Sequence, residues 1–244
     1  MELQCYQLTS AGDREVNQDA MVHSITDEYG LFIVADGLGG HQAGEKASRF
    51  LCQGVLRLAA KYSVEVRRTP VEAFSEWVDA AVDEMKRLFA GDSGAEEAHT
   101  TCAILYIDDN VVLTAHCGDS RIYRMNPERI IWRTKDHSIP QILLEQGKID
   151  EHEMASHPEQ NQLTRSINVL KLNSAEVIRH SPVKAGETFI LCSDGFWEHV
   201  KPSEFLELAK PSCGKAELGK KARLAVLRAR GRSDNVTVQW VRCR

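Results

Sequence analysis

No Cys-x-x-Cys pair occurs among the seven cysteines of this 244-residue chain, and an odd number cannot be fully paired. Cys102, Cys117 and Cys192 sit inside apolar, strand-like runs. They read as buried reduced thiols of a cytosolic protein rather than as a disulfide framework. Positive charge is not in excess: 30 Lys and Arg stand against 35 Asp and Glu, a formal net charge of -5. That removes the electrostatic case for non-specific nucleic-acid binding. No apolar run reaches membrane-spanning length, and MELQCYQLTS has no basic-then-apolar signal pattern. The expectation is a cytoplasmic protein with neither a nucleic-acid nor a membrane partner. No internal repeat or Pro/Gly/Ser-rich linker divides the chain, so residues 1–244 are expected to form one domain.

The most informative stretch is LFIVADGLGGHQAGEKAS, residues 31–48. An apolar run ends abruptly at Asp36-Gly37, as a buried strand closed by a turn would. An acid at the end of a buried strand is costly unless something positive meets it. The adjacent glycine lets backbone approach closely, so the Gly37 carbonyl could join the Asp36 carboxylate as a ligand. Such hard oxygen donors suit Mg²⁺ or Mn²⁺. The plainer alternative is that Asp36 only caps the following helix. Two phosphate-loop readings fail on spacing: a Walker loop needs Lys where the chain has Glu45, and the dinucleotide fingerprint needs Gly where it has Gln42.

Taken in order, residues 2–9 read as an opening strand. Arg14, Asn17, Gln18 and Asp19 crowd before a strand at 20–25, and Leu31 to Asp36 is the next. Three- and four-residue apolar spacing predicts helices from Gln42 to about Lys61 and from Pro70 to about Ala90. A polar loop over 91–98 follows. Short strands at 101–107, 111–116, 121–125 and 129–134 are expected to form one antiparallel meander, with Asp119 at a strand mouth. The polar segment 136–166 reads as a flap, with two short helices flanking His157-Pro158. Strands at 175–180 and 188–193 follow, the second ending in Asp194-Gly195. Helices at 202–209 and 215–230 precede a closing strand, 236–241. The basic residues of the last helix, Lys220, Lys221, Arg223, Arg228 and Arg230, read as a solvated face.

Asp36, Asp194 and Asp234 each stand at a strand boundary beside Gly or Asn, and Asp19 and Asp119 are similarly placed. Singly, each could be a turn residue. Gathered at one sheet edge they would repel unless cations neutralise them, which points to a two-metal site. No His-x-x-x-His pattern pairs with these acids, which argues against a zinc hydrolase. No Cys has Arg six positions later, and Asp36-Gly37-Leu38 is not Asp-x-Asp. Cysteine- and aspartyl-nucleophile phosphatases are therefore excluded.

In this order, Arg14-x-x-Asn17-Gln18-Asp19, Val34-Ala35-Asp36-Gly37-x-Gly39-Gly40, Thr100-Thr101, Gly118-Asp119-Ser120-Arg121, Asp136-His137-Ser138, Leu163-Thr164-Arg165, Cys192-Ser193-Asp194-Gly195 and Asp234-Asn235-Val236-Thr237-Val238 span the chain. With these motifs the sequence resembles the metal-dependent type-2C protein phosphatases (the PPM family), in a compact bacterial form. The resemblance implies an α+β fold, a four-layer α-β-β-α sandwich of two antiparallel sheets. It implies a serine/threonine phosphatase that attacks phosphorus directly with a metal-bridging hydroxide. Asp36 would bridge two Mn²⁺ or Mg²⁺ ions, the Gly37 carbonyl would hold one, and Asp194 and Asp234 the other. Asp19 would act through a metal-bound water. Asp119, with Asp194, matches a weaker third position, and Arg14 matches the phosphate-binding arginine. The partners implied are phosphorylated proteins and a bacterial Ser/Thr kinase, with the protein a monomer.

The sequence departs from the family pattern in three places. Leu38 stands where many eukaryotic members carry a histidine general acid, leaving metal-bound water, or His41, to protonate the leaving group. His99 replaces the usual Gly before Thr-Thr. Phe196-Trp197-Glu198 follows Asp194-Gly195, with Trp197 expected to pack rather than touch substrate. Two other readings stay open: a catalytically silent phosphoprotein-binding module, and a phosphatase of small molecules.

Overall fold

From Gly30 onward most of the longer strands are buried at nearly every position, and the layering of the molecule explains this. The computed structural model describes every residue except Met1, Gly40, His41, Ser93, 95–97 and 171–173, together with the side chain of Gln42. The chain runs β1 (Leu3–Ser10), β2 (Asp19–Ile25), β3 (Gly30–Leu38), α1 (Gln42–Val66) and α2 (Pro70–Leu88). Then come β4 (His99–Thr100), β5 (Cys102–Ile107), β6 (Val112–Cys117), β7 (Arg121–Met125), β8 (Ile130–Arg133) and α3 (Ile139–Glu145). A 3₁₀ turn (Met154–Ser156) precedes β9 (Ile167–Asn168), β10 (Glu176–His180) and β11 (Thr188–Cys192). Last are α4 (Asp194–Trp197), α5 (Pro202–Ala209), α6 (Lys215–Arg228) and β12 (Val236–Cys243).

The strands form two antiparallel sheets. One has the order β1-β12-β11-β7-β8; the other runs β10-β6-β5-β3-β4-β9, with β2 paired to β3. Period-two alternation sends neighbouring side chains to opposite faces. Along β3, Leu31, Ile33 and Ala35 pack under α1 and α2 with Trp77, Phe74 and Leu51. Phe32 and Val34 face the other sheet, meeting Phe189, Leu191 and Ile122. Beyond that first sheet, Ile190, Cys192, Val238 and Trp240 pack against Phe196, Phe205, Leu208 and Leu218 of α4 to α6. Three apolar layers therefore separate four structural ones, and a strand buried on both faces shows no polar alternation. The expected α+β sandwich is the observed architecture, and all seven cysteines are free thiols.

Several expectations are corrected. The helix predicted to stop near Lys61 continues to Val66, because Tyr62 and Val66 are buried. The expected single meander is two hairpins in different sheets: β5 pairs β6 in one, β7 pairs β8 in the other. The chain changes sheet at Gly118-Asp119-Ser120. In the 136–166 segment both short helices precede His157, and turns follow it. The face of α6 is only partly solvated. Lys221 is buried against Glu207, and Arg228 forks onto Glu204 at 2.6 and 2.7 Å, so two of its cations fasten α6 to α5.

Phe32 is fully buried between the sheets. Phe32→Ala should destabilise the protein by about 3–5 kcal/mol, the usual cost of such a cavity. Urea unfolding followed by circular dichroism measures this; a loss of under about 1 kcal/mol would contradict the packing described.

Candidate active site

Five aspartates reach one end of the sandwich from both sheets. Asp19, the first residue of β2, lies opposite Asp36 in the β2–β3 register. The Asp36 backbone is fixed by Thr-Thr: its N–H donates to Thr101 Oγ1 at 2.9 Å. Its carbonyl accepts from Thr101 N–H at 2.8 Å and from Thr100 Oγ1 at 2.9 Å. Gly37 has no room for a side chain; a Cβ would overlap the Gly44 carbonyl and lie 2.7 Å from the Gln18 carbonyl. Asp194 follows β11 and opens α4, while Asp234 lies just before β12. Asp119 sits in the turn where the chain changes sheet, after Gly118, whose φ of +94° is one that L side chains rarely adopt.

Ser193 joins the two halves. Its N–H donates to the Thr237 carbonyl at 3.1 Å and its Oγ accepts from Thr237 N–H at 3.1 Å. The same hydroxyl donates to Asp19 Oδ2, on the opposite sheet, at 2.7 Å. Asn235 performs a similar service for the loop bearing Arg14. Its Nδ2 donates to the Ala11 and Val16 carbonyls at 3.0 Å, and its Oδ1 accepts from Gln18 N–H at 2.7 Å. Arg14 Nη2 then lies 2.8 Å from Asp234 Oδ2, with 61% of the arginine side chain exposed. The guanidinium is tethered yet open to an incoming anion.

Electrostatics show what this crowding costs. Burial first, then the charges of Asp19, Asp194, Asp119 and Asp234, push the Asp36 carboxyl well above the usual carboxylate range. Burial raises Asp19 to about 7 against its Ser193 hydrogen bond. Burial and then Asp234 raise Asp194 to about 6, and burial and then Asp194 raise Asp119. Asp19 Oδ1 is buried with no hydrogen-bond partner. Gly195 N–H donates to Asp194 Oδ1 at 2.6 Å and Asn235 N–H to Asp234 Oδ1 at 2.8 Å, which leaves the second oxygens to other partners. An all-oxygen donor set, an orphaned buried carboxylate oxygen and mutual repulsion together fit hard divalent cations. The sequence-predicted acids and Arg14 are thus brought together. His41, with Gly40, lies outside the described residues.

The residues that depart from the family pattern also lie near the site, and one of them, Glu198, had no role assigned from sequence. Glu198 is pushed up to about 9 by burial and then by Asp194 and Asp119. It lines a cavity of about 620 Å³ with Arg121, Trp132, Arg133, His152 and Lys201, between the 136–166 segment and α5. Trp197 packs, as expected, and its Nε1 donates to the Asp119 carbonyl at 2.9 Å. His99, in place of the family's Gly, pairs with Asn168 in the β4–β9 register, and its Nδ1 is 2.9 Å from Ser166 Oγ.

His116, His137 and Glu176 also cluster, and His116 Nδ1 is buried without a partner. The two imidazoles stack with centroids 4.7 Å apart and planes within 9°. Their in-plane lone pairs run parallel rather than converging, and Arg165 Nη1 lies 3.4 Å from His137 Nε2. This arrangement does not suit a cation.

Raised acids bind protons in the folded state that the unfolded chain releases near pH 4, so stability falls as pH rises through the folded values. Metal-free protein in EDTA should lose thermal stability between about pH 5 and 7.5, as Asp194 and Asp19 titrate near 6 and 7. Mn²⁺ should restore it at pH 7.5. Scanning calorimetry across pH measures both, and a metal-free melting temperature that rises over this window would refute the charge crowding.

Known proteins resemble this chain in sequence and in fold. The family model described as Protein phosphatase 2C matches residues 9–225. The protein phosphatase PhpP of Streptococcus pneumoniae is 31% identical over 245 residues, covering 96% of this chain and 95% of that protein. The serine/threonine phosphatase stp of Listeria innocua is 30% identical over 224 residues, covering 88% and 85%. Among solved structures, the Mycobacterium tuberculosis serine/threonine phosphatase PstP/Ppp superposes with a TM-score of 0.82 at 27% identity, covering 99% of this chain and 98% of that one. Fold, motif order and these relatives agree: the chain belongs to the protein phosphatase 2C family and is a serine/threonine phosphatase of that type.

Proposed function

We propose that the aspartate cluster is a two-metal site at which phosphoserine and phosphothreonine of protein substrates are hydrolysed without a covalent intermediate. The observation that carries this is the convergence of Asp19, Asp36, Asp119, Asp194 and Asp234 beside an exposed arginine. In this reading Asp36, the Gly37 carbonyl, Asp194 and Asp234 would hold two Mn²⁺ or Mg²⁺ ions. Asp19 would support that pair from behind, and Asp119 with Asp194 would offer a third, weaker position. When bound, the ions supply a nucleophilic water of lowered pKa and neutralise charge on the phosphoryl oxygens.

The chain's own groups do the rest. Arg14 exchanges Asp234 for two phosphoryl oxygens and orients the phosphate. Ser193 and Thr100-Thr101 keep Asp19 and Asp36 in register. No cysteine serves as nucleophile: Cys192, two residues before Asp194, is buried and its thiol is pushed up by that burial. Leu38 carries no proton for the leaving alkoxide. The reading treats 1–244 as one catalytic domain, with 136–166 as its flap, because both sheets supply the cluster. It places the enzyme opposite a bacterial Ser/Thr kinase, as a cytoplasmic monomer; the phosphatases of Streptococcus and Listeria to which the chain is similar support the phosphatase activity from which that setting is inferred.

Phosphate release from a phosphothreonine peptide should require Mn²⁺ and stop in EDTA. Asp36→Asn and Asp194→Ala should abolish turnover while circular dichroism stays native. Wild-type activity in either variant would overturn the metal assignment. Arg14→Ala should chiefly raise KM, since it removes phosphate binding; an unchanged KM would refute its role.

A further inference from the structure

The turn that carries Asp119 is fastened on two sides. On one side, Trp197 Nε1 donates to the Asp119 carbonyl at 2.9 Å. The Trp197 ring lies under the Arg121 guanidinium, whose carbon is 3.4 Å from the ring centroid. Arg121 forks onto Asp136 through bonds of 2.8 and 2.5 Å and donates to Tyr123 Oη at 3.0 Å. The side chains of Arg121 and Asp136 are only 4% and 2% exposed. A bidentate pair shielded from water holds its partners in one geometry. On the other side, His137 N–H donates to the Gly118 carbonyl at 2.8 Å, and Gly118 N–H donates to His137 Nδ1 at 3.2 Å.

A buried tryptophan needs some acceptor for its N–H, and many carbonyls would serve. Here the acceptor belongs to one of the five aspartates, and the donor stands three residues after another. Trp197 ends the one-turn helix that Asp194 begins. One side chain thus spans the gap between the Asp119 peptide and the Asp194 helix, and the ion pair to Asp136 keeps its ring from turning. We propose that Trp197 is a positioning residue. It sets the spacing of Asp119 and Asp194, and with it the affinity of the cluster for its most weakly held divalent cation. The proposal rests on the cluster being a divalent-cation site.

Calorimetric titration with Mn²⁺ tests it in wild type, Trp197→Phe, Asp119→Asn and the double variant. Phe keeps an aromatic face for Arg121 while removing the N–H together with the second ring. The weakest class of Mn²⁺ sites should lose about fivefold in affinity in Trp197→Phe, the effect of about one hydrogen bond. The tight class should be unchanged. In the Asp119→Asn background, Trp197→Phe should shift neither the titration nor the Mn²⁺ dependence of phosphate release. Equal weakening of both classes, no weakening at all, or the same shift with Asp119 already replaced would overturn the proposal. Absence of Mn²⁺ binding by the wild type would overturn the cluster reading along with it.

A second measurement uses the unaltered tryptophan. In ¹⁵N spectra of the wild type, the Trp197 indole N–H resonance should move with Mg²⁺ over the range of the weak class, and stay still in Asp119→Asn. Movement that survives Asp119→Asn, or none in the wild type, would refute the role.

Discussion

Mutual repulsion among carboxylates is the constraint on which the rest of this structure depends. Asp19 and Asp36 come from one sheet, Asp194 and Asp234 from the other, and Asp119 from the turn between them. Left alone, such groups would drive the sheets apart or take up protons. The fold counters this with apolar area and with bonds that cross the gap. Phe32, Val34, Phe189 and Leu191 seal the space behind the acids. Ser193 binds Thr237 in its own sheet and Asp19 in the other. On the proposed two-metal reading, a cluster that the protein holds against its own electrostatics is a preorganised one.

How much of this could be read from residues alone follows from the range of each signal. Asp36-Gly37 and Asp194-Gly195 were legible because their chemistry is local: an apolar run, an acid, a glycine. Apolar runs marked β3 and β5 as buried strands, whereas the four layers followed only from the family resemblance. The sheet change at Gly118 was not legible, since β5–β6 and β7–β8 have the same local pattern whichever sheet they join. Strands β4 and β9 have two residues each and exist only by pairing with one another and with β3. Glu198 looked ordinary because the burial that perturbs it most, and the charge of Asp119, come from tertiary packing. Lys221 and Arg228 looked solvated because their acids, Glu204 and Glu207, belong to a different helix.

The flap expectation shows the same division. Polarity marked 136–166 as a segment apart, yet its first residues are among the best anchored in the molecule. Asp136 is held by Arg121, and Arg133 reaches Glu151 at 2.7 and 2.8 Å. Composition reports that a segment is not core; it does not report where an ion pair pins it down.

The pairing of β1 with β12 has a consequence for how the protein comes into being. Leu3 lies opposite Cys243 and Ser10 opposite Val236, so β1 has no partner on that side until β12 is made. Asp19 and Asp234 bracket nearly the whole chain, and the Ser193 bridge needs Thr237. During synthesis from the N-terminal end, the sheet nearest the start of the chain has an unfilled neighbour until residues near 240 emerge. Until β12 pairs with β1 and supplies Thr237, the Ser193 bridge between the sheets is incomplete, so the acid cluster depends on pairing between distant parts of the sequence.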